Sequence, residues 1–327
     1  MKKNSASDRP LVIAHRGACA YLPEHTLPAK ALAHGMGADY LEQDIVASRD
    51  DELMVLHDIH LESISDVRQR FPHRARDDGR WYARDFDLTE LQSLRVFERM
   101  QDDGRATVFA HRFPYRSGYF RLSTLREEIE LTQGMNRSTG RNVGIYPEIK
   151  SPAWHHEEGV DVARLLLDML AGYGYSEQGD AVFVQCFDAT ELRRVREELG
   201  CRLKLVQLLA ENSWGESDTD YDHLKTARGL AEVAEYADGL GPWIGQLYTL
   251  AEIDGHPIST GLVKMAHEVG LTVHPFTFRA DALGPGFETY EEMVRWFVET
   301  IRVDGLFTDF PDLAVAALSQ ESHKSLN

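Results

Sequence analysis

Cysteine is scarce. Cys19, Cys186 and Cys201 are the three in 327 residues, too few and too scattered for a disulfide framework or a thiolate metal site, and they read as reduced thiols. Long apolar runs are missing as well. None approaches the roughly 18 residues needed to span a bilayer, so a membrane-spanning helix is not expected. Basic charge is in deficit: 35 Lys and Arg against 53 Asp and Glu leave a formal charge of −18. That balance repels phosphate backbones and anionic lipid headgroups over the distance that salt leaves unscreened, so neither nucleic acid nor stable membrane association is expected. Met1 to Pro10 carries Lys2 and Lys3 but passes at once into Asn4, Ser5, Ser7 and Asp8, without the apolar stretch of a secretory signal. As written, the chain is expected in the cytoplasm; a processed or trimmed form would place it in the periplasm.

What is present specifies a folded chain. Hydrophobic residues make up 43% and charged residues 27%, which excludes a disordered, collagenous or low-complexity protein. The length suits two domains or one large α/β barrel. Short apolar runs alternate with amphipathic segments, the pattern of a parallel sheet with crossover helices. Strands are expected at Leu11 to Ala14, Tyr40 to Val46 with a second apolar piece at Met54 to Leu56, Val143 to Ile149, Ala181 to Cys186, Leu203 to Leu208, Ala237 to Leu240, Leu271 to Phe276 and Gly305 to Phe307. Helical spacing covers Leu27 to His34, Asp161 to Ala171, Ala189 to Leu199, Thr260 to His267 and Tyr290 to Ile301. The strand count is close to the eight of a TIM (β/α)8 barrel. From Ile59 to about Gly118 the rhythm stops, and turn signals at Phe71-Pro72, Asp78-Gly79 and Phe113-Pro114 sit among many Arg and Asp. Residues 59–118 therefore read as a lid-like insertion after the second strand, within a barrel made of residues 1–58 and 119–327.

The chemistry-bearing residues lie at strand ends. His15-Arg16-Gly17 follows the first apolar run, and His57-Asp58 closes another. Glu42 and Asp44 leave one face of a strand, and Glu148 with Lys150 repeats the spacing. In a closed barrel these ends converge on one mouth. Three converging carboxylates repel one another unless a cation is present, and oxygen donors without thiolate or ligating imidazole suit one hard divalent ion, Ca²⁺ favoured, with Mg²⁺ as the alternative. Two imidazoles outside the metal shell are free for proton transfer, and Arg16 offers a planar fork matched to phosphate, although an ion pair with Glu24 or Glu42 competes for it. Lys150 has the same alternative with Glu148. His155-His156-Glu157-Glu158 lacks the two-histidine spacing of a zinc helix and reads as a polar helix start. Trp154, Phe187, Trp243 and Phe276 read first as packing residues, with Phe187 and Phe276 placed to touch a substrate.

These stretches together resemble the glycerophosphodiester phosphodiesterase family, in particular its bacterial periplasmic members. The resemblance rests on HRG at His15 to Gly17, PEHT at Pro23 to Thr26, GADYLEQD at Gly37 to Asp44, VLHD at Val55 to Asp58, YPEIK at Tyr146 to Lys150, QCFD at Gln185 to Asp188, HPFTFR at His274 to Arg279 and GLFTDFP at Gly305 to Pro311. It spans nearly the whole chain. The resemblance implies a TIM barrel with an insertion after the second strand and a divalent cation on Glu42, Asp44 and Glu148. It implies catalytic His15 and His57, phosphate on Arg16, and substrate contacts from Lys150, Gln185, Phe187 and Phe276. Many relatives have Asn where His25 stands. The reaction it implies is hydrolysis of a small glycerophosphodiester to glycerol 3-phosphate and an alcohol, with either water or the neighbouring glycerol hydroxyl attacking. Competing readings are a lysophospholipase D-like or other phosphodiesterase on the same barrel, a glycosidase using Glu42 and Glu148, and a non-catalytic phosphate-binding barrel.

Overall fold

The computed structural model describes residues 9–101 and 104–319. The stretch from Met1 to Asp8, on which the compartment expectation mainly rests, lies outside the described residues. The alternating pattern becomes a ring of parallel strands. Their order is Thr272–Val273, Gly239–Pro242, Lys204–Leu209, Phe183–Cys186, Gly144–Ile149, Tyr40–Ala47, Leu11–Ala14 and Gly305–Thr308, each parallel to its neighbour. Closure comes from a parallel bridge between Phe278 and Thr308 and from two backbone bonds, Asp304 N to Val273 O and Phe307 N to Pro275 O, both 3.0 Å. The fold is a TIM barrel. Ile13, Tyr146, Phe183, Val206 and Phe307 fill its interior. A much larger cluster, from Val12 and Ile45 to Leu306 and Leu318, packs helices on the outside of the strands.

Two expectations about elements are corrected. Regular pairing in the run Leu271 to Phe276 stops at Val273. Pro275 has no N–H for a ladder, and isolated bridges at Phe276 and Phe278 carry the strand onward. The apolar piece near Met54 is no extension of the second strand. Ser48 and Asp51 form a tight turn, with Asp51 at φ 61°, and Leu53–Val55 returns antiparallel against Ile45–Ala47, outside the ring. Ser123–Thr124 pairs with that arm.

A helix over Leu125–Thr139 was absent from the sequence reading. Thr124 and Glu127 form its capping box, but its buried face mixes Leu125 and Ile129 with Glu128 and Thr132, so no clean apolar stripe marks it. Between Leu56 and Leu122 the chain has short helices at Val67–Arg70 and Leu88–Ser93. Ile64, Val67, Trp81, Phe86 and Leu94 form a separate cluster there, packed onto Val46, Met54 and Leu56. Among the described residues no helix is long and apolar enough to cross a membrane.

Candidate functional site

The first barrel strand ends at Ala14, and His15-Arg16-Gly17 turns across the mouth. Gly17 has φ +87°, and a Cβ there would lie 2.9 Å from the carbonyl carbon of Ala29, so the close turn requires glycine. Arg16 is itself left-handed at φ 56°, and its N–H donates to Glu42 Oε2 at 2.6 Å. Glu42 and Asp44 lie two apart on the second strand. Asp44 is in register with Glu148 on the third, and Glu148 with Gln185 on the fourth. Parallel register thus brings Asp44, Glu148 and Gln185 to one level, with Glu42 two residues below on the same strand face. All ten site residues expected from the sequence line a single cavity of about 230 Å³ at the barrel mouth.

Each of the two imidazoles is backed by an aspartate. His15 Nδ1 lies 2.7 Å from Asp309 Oδ1, and His57 Nδ1 lies 2.5 Å from Asp58 Oδ1. With Nδ1 engaged, Nε2 is the nitrogen left to face the cavity; that of His57 stands 3.5 Å from Lys150 Nζ. Asp309 in turn accepts from Arg112 Nη2 and Arg279 Nε, each at 2.7 Å. Asp58 accepts from Arg99, which also holds Glu24 at 2.6 Å. Burial, with the charge of Arg16 next, lowers both imidazoles to about 4. The ion pairs foreseen for the two cations are present: Arg16 Nη1 to Glu24 at 3.1 Å and Lys150 Nζ to Glu148 at 2.7 Å. Both cations still line the cavity.

The carboxylates fall short of positive charge. Burial and then Asp44 push Glu42 well above the usual range. Burial, opposed by Lys150 but reinforced by Asp44, moves Glu148 to about 8. Against its own burial, Asp44 is held low by Lys150, His57 and a 2.7 Å bond to His25 Nε2. His25, Glu42 and Asp44 cluster within 4.8 Å, and Gln185 Oε1 beside Glu148 is buried without a hydrogen-bond partner. An oxygen-rich set with two carboxylates driven toward neutrality and a spare amide oxygen fits a hard divalent cation.

Sequence reasoning gave no role to Asp309, Arg99, Arg112 or Arg279. Asp58 adjoins His57 and could have been found from that; Asp309 bonds His15 across 294 positions, and no local pattern announces it. Trp243, read as packing, stands at the mouth 38% exposed, edge-on to Trp214 at 5.4 Å. Trp154 stacks on Tyr82 away from the cavity. His155 is fully buried; its Nε2 accepts from Ala47 N and its Nδ1 donates to Ser151 O. The helix here spans Pro152–Glu157 with Glu158 as its C-cap, so His155 to Glu158 form its end and not the polar start expected, because Pro152 already opens the first turn; His156 meets Glu191, which Arg194 bridges to Asp161.

Known proteins repeat this arrangement of sequence and fold. A curated glycerophosphodiester phosphodiesterase of Haemophilus influenzae is 42% identical over 325 residues, covering 94% of this chain and 89% of the relative. One from Treponema pallidum is 36% identical over 332 residues, with 96% and 93% covered. An Oleispira antarctica phosphodiesterase solved with the product sn-glycerol-3-phosphate shares the fold at TM-score 0.63 and 18% identity, covering 95% of this chain and 97% of that one. The glycerophosphodiester phosphodiesterase of Thermotoga maritima does so at 0.58 and 19%, covering 94% and 98%. The Glycerophosphoryl diester phosphodiesterase family matches residues 15–313, and with relatives of this identity over nearly its full length, the chain belongs to that family of enzymes.

Proposed function

We propose that the protein hydrolyses glycerophosphodiesters, such as those of choline, ethanolamine and glycerol, to sn-glycerol 3-phosphate and the free alcohol. The observation that carries this reading is the pair of aspartate-backed imidazoles facing three carboxylates, Arg16 and Lys150 in one cavity. The Oleispira antarctica protein, of the same fold, was solved with that product. One imidazole takes the proton of the attacking hydroxyl as its oxygen bonds to phosphorus. The other returns a proton to the alcohol oxygen as its bond to phosphorus breaks. Asp309 and Asp58 fix the tautomers by accepting from Nδ1. Arg16 and Lys150 meet the charge that builds on the nonbridging oxygens. A divalent cation held by Glu42, Asp44 and Glu148 would supply Lewis-acid stabilisation of the same oxygens. Phe187 and Phe276, edge-to-face at 5.8 Å, offer the glycerol carbons an apolar wall.

The test is turnover of pooled glycerophosphodiesters with products identified by mass, before and after chelation. Glycerol 3-phosphate should form, chelation should abolish it, and Ca²⁺ or Mg²⁺ should restore it better than Zn²⁺. Undiminished turnover in protein shown to be metal-free by elemental analysis overturns the metal dependence.

A further inference from the structure

A second chamber of about 290 Å³ adjoins the first, walled in part by Glu98, Arg99, Val108, Phe109 and Arg112. His15, Arg16, His57 and Arg279 line both chambers, so the two meet at the imidazoles. The cations of the second chamber are already paired: Arg99 with Glu24 and Asp58, Arg112 with Asp281 and Asp309, Arg279 with Asp309. Glu98 differs. It is 5% exposed, and its Oε2 is buried with no hydrogen-bond partner, a costly state for a carboxylate oxygen. Burial, and next the charge of Glu24, push its carboxyl up to about 8, against the pull of Arg112 and Arg99. The arginines nearby are engaged by other carboxylates, and Glu98 Oε2 is left without a donor.

We propose that the second chamber receives the departing alcohol and that Glu98 binds the primary ammonium of an aminoethyl headgroup. A substrate phosphate held at His15, Arg16 and His57 would put glycerol in the carboxylate-lined cavity and the alcohol across the imidazoles from it. A primary ammonium brings both a charge and N–H donors to Oε2. A trimethylammonium brings charge without a donor, and a glycerol headgroup brings a donor without charge. The inference rests on the proposed hydrolysis of glycerophosphodiesters, and the experiment separates the two.

kcat and KM are measured on glycerophosphoethanolamine, its N-acetyl derivative, glycerophosphocholine and glycerophosphoglycerol for the parent, Glu98→Gln and Glu98→Asp. The loss of a charged hydrogen bond is commonly worth tenfold or more. Glu98→Gln should therefore lose about tenfold in kcat/KM on the ethanolamine ester, through KM, and less than twofold on glycerophosphoglycerol; Glu98→Asp should lose less. Equal losses on all esters, or none, overturn the subsite. In the parent, discrimination below threefold between the ethanolamine ester and its N-acetyl form also overturns it, which keeps the test intact if a variant fails to fold. Calorimetric titration of chelated protein with glycerophosphoethanolamine gives a readout without turnover, and the same tenfold weakening is expected in Glu98→Gln. Selective binding with no ester hydrolysed would sink the phosphodiesterase reading and leave the subsite standing. No binding to the parent would overturn the subsite.

Discussion

Individual side chains at the mouth are held by others farther from the substrate. His15 and His57 face the cavity, whereas Asp309 and Asp58 fix their rings. His15→Ala or His57→Ala should lower kcat by at least the roughly 10²-fold usual for losing a general acid or base, with the folded circular-dichroism spectrum retained; near-parent turnover with metal bound removes that histidine from the mechanism. Asp309→Asn keeps the shape but no longer favours a proton on Nδ1 of His15. It should lower kcat by about 10² or more while KM changes little, and a loss seen in KM alone would argue against a positioning role. The inner residues were legible because the chemistry of each is written at a strand end, and two-residue spacing assigns Glu42 and Asp44 to one face. Their supports were not, since Arg112 reaches Asp309 from 197 positions away, and one arginine among many in residues 59–118 has no distinguishing local pattern.

Elements show the same division. Strands whose apolar runs face the barrel could be read from sequence, but the helix Leu125–Thr139 could not, because part of its buried face is an ion pair. Glu128 Oε2 lies 2.9 Å from Lys30 Nζ on the helix Leu27–Gly35, both residues essentially unexposed. Lys30 also donates to the carbonyl of Glu42 behind the carboxylates. Removing one charge leaves the other buried without its partner, so Lys30→Met should cost about 3–5 kcal/mol in urea unfolding, and adding Glu128→Leu should recover most of it. A single variant as stable as the parent would show that the pair contributes little. Residues 59–118 combine two roles. Their cluster covers Val46, Met54 and Leu56, and their arginines hold both aspartates. Replacement by a short Gly/Ser linker should therefore lower Tm and kcat together as well as raise KM; a folded deletant with parent kinetics on small and bulky substrates would reject both roles.

Across the whole molecule, acid acts in two opposing ways. Lowering pH from 7 toward 5 reduces the negative charge of a chain formally at −18, which relieves self-repulsion in the compact state. It also charges histidines that the fold keeps neutral. His155 and His274 are each at most 1% exposed, and burial is the leading cause that lowers both to about 4 from an ordinary 6.5. Their pKa is lower in the folded state, so the unfolded chain binds the proton first. The stability they contribute is complete above about 6.5 and is lost as pH falls toward 4. For each, the roughly 1.5 pH units between 6.5 and 5 are worth about 2 kcal/mol at about 1.4 kcal/mol apiece. The net slope mixes this loss with the relief of repulsion, and a variant separates them. Gln at position 155 can accept from Ala47 N–H as the His155 Nε2 does, yet does not ionise. His155→Gln should be somewhat less stable than the parent at pH 7 but lose about 2 kcal/mol less between pH 7 and pH 5 by urea unfolding. Parallel pH profiles for the two proteins would mean that His155 titrates normally in the fold and that the acid response comes from elsewhere.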